Sequence, residues 1–152
     1  MTATYAAEHL KARSERRLVD HDPDVNTKAE VDLDPTAAAK YLPVALYRRF
    51  LAGLMHSVGT GSITAFELVA ATDDTGTGAT IIVSHALGSD PNAVGDRLWL
   101  ECDIEQVREV LPTATHIGVR ITLATATDEC VVFFERASPQ FPAAGLTADY
   151  VS

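Results

Sequence analysis

The sequence is poor in the residues that mark chemistry. Cysteine occurs twice in 152 residues, as Cys102 and Cys130. Two thiols so far apart build neither a disulfide framework nor the close pairs of a zinc site. We read both as reduced and at least partly buried, in a protein assembled inside a cell. A Cys102–Cys130 bridge stays open if their strands are neighbours. Basic residues are also scarce, twelve against twenty-one acidic, for a net charge of −9. A body of that sign is repelled by phosphate backbones and by anionic lipid, which sets both aside as partners. No apolar run approaches the roughly 20 residues of a membrane helix. Residues 1–10 lack the basic-then-apolar layout of a secretory signal. Aromatics make up 7% of the chain, few for a sugar platform of several exposed rings.

What the chain does have is period-two alternation. Ile117, Val119, Ile121 and Leu123 alternate with Gly118, Arg120, Thr122 and Ala124. After a small polar turn, Cys130, Val132 and Phe134 alternate with Val131, Phe133 and Glu135. Successive strand side chains point to opposite faces, so this text predicts a long hairpin with one strongly apolar face. Residues 48–56 predict a strand with Phe50, Ala52 and Leu54 on one side, in which Gly53 weakens the ladder or marks a bulge. Residues 62–71 place Phe66 and Leu68 inward and Glu67 outward. A glycine turn at 73–78 leads into a strand over 79–86. In residues 97–102, Leu98, Leu100 and Cys102 share a face. Trp99 falls on the other, either in a second core layer, which we favour, or exposed as an interface anchor. Asp103 and Gln106 form a capping-box pattern that opens one short helix to Leu111, where Pro112 stops it.

Six or seven strands and a single short helix predict a mainly β fold, an antiparallel β-sandwich or jelly-roll-like barrel. Its core is expected to hold Phe50, Phe66, Leu68, Leu100, Val119, Ile121, Val132 and Phe134. Residues 1–30 carry five basic and six acidic side chains with few large apolar ones. Residues 5–19 have helical composition, so the start reads as an extended, partly helical arm. The sandwich domain is placed at 31–141, opening with a short extended piece at 31–33, and a tail at 142–152. From Ala137 the chain is too proline-rich to continue a sheet and is expected to cross the surface.

No catalytic, cofactor-binding or metal-binding residue is assigned. Asp73 and Asp74, with Gly76 and Gly78, lack the alternating oxygens and distal Glu of a calcium loop. Gly59 and Gly61 precede no Gly-Lys-Ser/Thr and open no helix, so they form no phosphate cradle. His56, His85 and His116 have no ligand spacing. Cys102, alternating with Leu98 and Leu100, reads as a small core residue rather than a thiol nucleophile. Asp103 and Glu105 suit the amino end of a helix dipole.

Several segments together carry a resemblance. They are Val31-Asp-Leu33, the strand after Tyr47, and Phe66-Glu-Leu-Val-Ala-Ala-Thr-Asp-Asp-Thr-Gly-Thr-Gly-Ala79. Trp99-Leu-Glu-Cys-Asp-Ile-Glu105, residues 115–123 and Glu135-Arg-Ala-Ser-Pro-Gln-Phe141 complete the set. The pattern, over about residues 31–141, resembles small virion structural proteins of tailed bacteriophages. The resemblance implies a non-enzymatic particle component: a capsid decoration (cement) protein, or a part of the neck or tail. It also implies synthesis in a host cytoplasm and contact with other virion proteins such as the major capsid protein.

A particle component repeats with the symmetry of its site, so a homo-oligomer, a trimer or a ring, is expected. The candidate handles are Tyr5, Leu10, Arg13, Arg16, Arg17 and Leu18 in the arm, and Phe141, Leu146 and Tyr150 in the tail. The three arginines would meet the body of a neighbouring copy, where residues 31–152 carry seven basic and fifteen acidic side chains. The competing class is a small-ligand or carbohydrate-binding β-sandwich.

Overall fold

The computed structural model describes residues 14–21, 28–30, 40–59, 63–86, 93–123 and 128–139, with the backbone alone for 14–21, 28–30, Ala86 and Pro139. The strands are β1 (Ser14–His21), β2 (Lys28–Glu30), β3 (Tyr41–Pro43), β4 (Tyr47–Val58), β5 (Ile63–Ala71) and β6 (Thr80–Ala86). They are followed by β7 (Arg97–Asp103), the helix α1 (Ile104–Val110), β8 (His116–Leu123) and β9 (Glu129–Pro139). Two antiparallel sheets result. The first runs β1-β9-β4-β7, and the second runs β2-β8-β5-β6 with β3 also paired to β8. They pack face to face as an open β-sandwich, not a closed barrel.

The alternation in sequence sets the inner faces. From the first sheet come Phe50, Ala52, Leu54, Leu100, Cys102, Cys130, Val132 and Phe134. The second supplies Ile63, Phe66, Leu68, Ala70, Ile117, Val119, Ile121 and Leu123. Ile104 and Val107 of α1 join the same core. All eight expected core residues are buried. The helix starts as its sequence specifies. Asp103 Oδ1 accepts from the Gln106 amide at 2.8 Å, and the Asp103 amide donates to Gln106 Oε1 at 3.0 Å. Both cysteines are free and buried.

Other expectations are corrected. Residues 117–136 are not a hairpin, because β8 lies in the second sheet and β9 in the first. Each has one apolar face, and across the core of a sandwich two such faces satisfy each other as well as they would side by side. Gly53 interrupts nothing. The β4–β9 ladder runs through it, and its shift falls between His56 and Val58. Strand β9 continues through Ala137, Ser138 and Pro139 opposite β4, with Ser138 at φ 54. Proline is tolerated there because it ends the strand.

Where the arm is described, it is strand and not helix. Residues Ser14–His21 pair with β9 and Lys28–Glu30 with β8, so sheet pairing reaches across the compositional break at residue 30. A ladder with β9 satisfies every other backbone group of that segment, which its weak helical composition cannot outweigh. The extended piece expected at 31–33 and the tail at 142–152 lie outside the described residues.

Candidate functional site

The outer face of the first sheet is where this fold departs most from its sequence reading. Trp99, expected in the core, is 55% exposed. Register places it in one cross-strand row with Gly53 of β4, Phe133 of β9 and Leu18 of β1. A Cβ on Gly53 would stand 2.2 Å from the Trp99 ring, so only glycine lets the indole lie down over β4. The ring then meets Phe133 edge-on, with centroids 5.8 Å apart and planes at 73°. An aromatic shelf thus crosses three strands on the solvent side.

The neighbouring rows continue this surface. On one side of the shelf lie Val131, Met55 and Arg97, with Asp20 at the β1 position. On the other side lie Glu135, Leu51 and Glu101, with Arg16 at the β1 position. Phe133, Leu51, Met55 and Val131 are half-buried, whereas Arg97 and Glu101 are exposed. Glu101 is ion-paired with Arg49 of the next row. The result is an apolar centre with a charged rim, the layout of a contact surface rather than a cleft.

Beyond Glu101, a shallow polar recess is lined by Arg48, Arg49, Cys102, Asp103, Gln106 and Ser138 among others. Its one thiol is inert at neutral pH. Burial, with Asp103 and Glu101 close by, pushes the Cys102 pKa up to about 12. The carboxylate of Asp103 is already committed to capping α1.

The outer face of the second sheet is closed differently. Glu67, expected outward, does leave the core side but is nonetheless buried. Its Oε2 accepts from Arg120 Nη2 at 3.1 Å and from Nε at 3.2 Å. Beside that pair, Tyr41 lies flat over Gly118 and against Gly76, sealing Val69 and Ala71. The 73–78 segment is a tight turn. Asp73 Oδ1 accepts from the Thr75 and Thr77 amides at 3.0 and 2.9 Å and from the Thr75 hydroxyl at 2.8 Å. The Thr77 side chain and amide, joined by the Thr75 hydroxyl and amide, hold the Asp73 carboxyl well below the ordinary carboxylate range.

The histidines stay apart. His56 is fully buried on the inner face, with Nε2 2.9 Å from the Val58 carbonyl oxygen, while His85 is exposed and His116 half-buried. Among the described residues, no three His, Cys, Asp or Glu side chains converge as a metal site would require.

Of the predicted handles, Tyr5, Leu10, Arg13, Phe141, Leu146 and Tyr150 lie outside the described residues. The other three sit in β1, with Arg16 opposite Glu135, Arg17 opposite Phe134 and Leu18 opposite Phe133. The sequence did hold a signal for the shelf. Trp99 and Phe133 both occupy positions that alternate with core residues, on two separate strands.

Comparison with known proteins gives no match to any family model and none to a curated protein. Solved structures offer partial likenesses. A prophage-derived protein, YomS of SPBc2, shares 12% identity at a TM-score of 0.40, covering 80% of this chain and 93% of that one. The cleaved K1 adhesin domain of Lys-gingipain from Porphyromonas gingivalis W83 shares 9% at 0.41, and the match covers 64% of this chain and 60% of that domain. The VP2 subviral particle of infectious bursal disease virus shares 9% at a TM-score of 0.41, covering 82% of this chain and 33% of that one.

Proposed function

We propose that this chain is a non-enzymatic structural protein of a tailed-phage particle, a capsid decoration (cement) protein that stabilises the shell through subunit contacts. It would be made in a host cytoplasm and reside on the virion, repeated as a trimer or ring beside the major capsid protein. The observation that carries the reading is the Trp99–Phe133 shelf, a flat apolar surface with a charged rim on a rigid sheet. Such a surface binds another protein surface, because it offers area and shape but no enclosed volume. The resemblance of residues 31–141 to virion proteins supplies the setting, within which a neck or tail position is the alternative.

The exposed Trp99 also favours a second reading, a carbohydrate-binding sandwich, since an indole face stacks on a sugar ring. Cryo-electron microscopy of intact particles separates the two. The proposal expects density for this chain at fixed copy number on the shell. Particles that lack it altogether, together with glycan binding by the purified chain, would replace the first reading with the second.

A further inference from the structure

The geometry points to the outer face of the first sheet as a contact with a second copy of this chain, related by a two-fold axis lying along the Trp99–Gly53–Phe133 row. The inference rests on the reading of this face as a contact surface, not on the virion setting. It follows from how charge and apolar area are distributed around the shelf. A rotation about that row turns one copy over onto the other and exchanges the two flanking rows, while each strand faces its own counterpart. Arg97 then meets the partner copy's Glu101, and Met55 meets the partner copy's Leu51, each contact occurring twice. Trp99 meets Trp99 across the axis, covering the largest exposed aromatic of the described residues.

A single-signed rim would repel its own copy in this arrangement, and so would two like charges at positions 97 and 101 of β7. Here Arg97 and Glu101 lie on one strand on opposite sides of the axis, so each meets the opposite charge in the partner copy, as an isologous interface requires.

Its size sets its strength. Four strands spaced by about 4.8 Å, and the seven residues of β7 at about 3.3 Å each, give a face of roughly 450 Å² in plan. That is about half of the ~800 Å² per partner in a standard stable interface, so the pairing is reversible and concentration-dependent. A two-fold contact of this kind joins two copies, or two rings back to back.

Sedimentation of the full chain across protein concentration, with a charge swap, tests the inference. Arg97→Glu and Glu101→Arg each place like charges in both corner contacts, and each should weaken pairing roughly tenfold or more. Mixing the two variants restores opposite charges in every corner contact, so the mixture should associate as the wild type does. Circular dichroism establishes that both variants are folded. A wild type that stays monomeric at high concentration overturns the inference. So does association that neither substitution weakens, or a mixture no better than the separate variants.

Discussion

Gly53 and Trp99 face each other on neighbouring strands, and the indole of Trp99 occupies the space where a side chain at position 53 would begin. The bare backbone of one residue is the seat of the other. Gly53→Ala should therefore lift the ring rather than break the ladder, at a cost of about 1–3 kcal/mol for overpacking. As Trp99 is the one tryptophan, its emission reports the displacement directly. In a double-mutant cycle, Gly53→Ala should cost markedly less when Trp99 is already Ala. Equal cost in both backgrounds would mean that the strain at Gly53 is not against the indole.

Glu67 and Arg120 form an ion pair that retains little solvent, with side-chain exposures of 5% and 17%. Removing one partner leaves a charge in a poorly hydrated place, so Arg120→Met should lower unfolding free energy by roughly 3 kcal/mol. The double replacement Glu67→Met with Arg120→Met should recover most of that loss, because it removes both desolvated charges. Urea unfolding of the three variants measures this. A double variant less stable than either single one would show that the pair contributes more than it costs.

The legibility of this chain follows the physics of alternation. Which side of a strand faces the core was readable, since Phe50, Phe66, Leu100, Val119 and Phe134 all lie where period two places them. Which sheet a strand joins was not, because an apolar face at β8 satisfies one at β9 equally well from beside it or from across the core. The capping box was local, within one turn of helix, and so was fully written in Asp103 and Gln106. Glu67 points away from the core as its position dictates, but its burial was not readable, because its neutralising partner is 53 residues away. Trp99 was misjudged for a similar reason. Its seat is Gly53, a residue whose meaning depends on which strand lies beside it.

Cys102 links stability to alkaline pH. Burial raises its folded pKa to about 12 from an ordinary value of 9.0. The folded state thus holds its proton where the unfolded state has lost it, and the contribution is complete below about pH 9 and lost progressively towards 12. Between pH 8 and 10.5, wild type should lose stability faster than Cys102→Ala, as followed by urea unfolding. Parallel pH profiles for the two proteins would show that this thiol is not protected by the fold.

If copies join through the outer face of the first sheet, Trp99 is buried when the protein assembles. Acrylamide quenching of its single tryptophan, measured from dilute to concentrated protein alongside sedimentation, tests this most directly. Free quenching is expected in the dilute monomer, where Trp99 is 55% exposed, and a several-fold weaker quenching with blue-shifted emission once copies associate. An oligomer whose Trp99 quenches as freely as the monomer would contradict it, because its copies would then be joined through another surface.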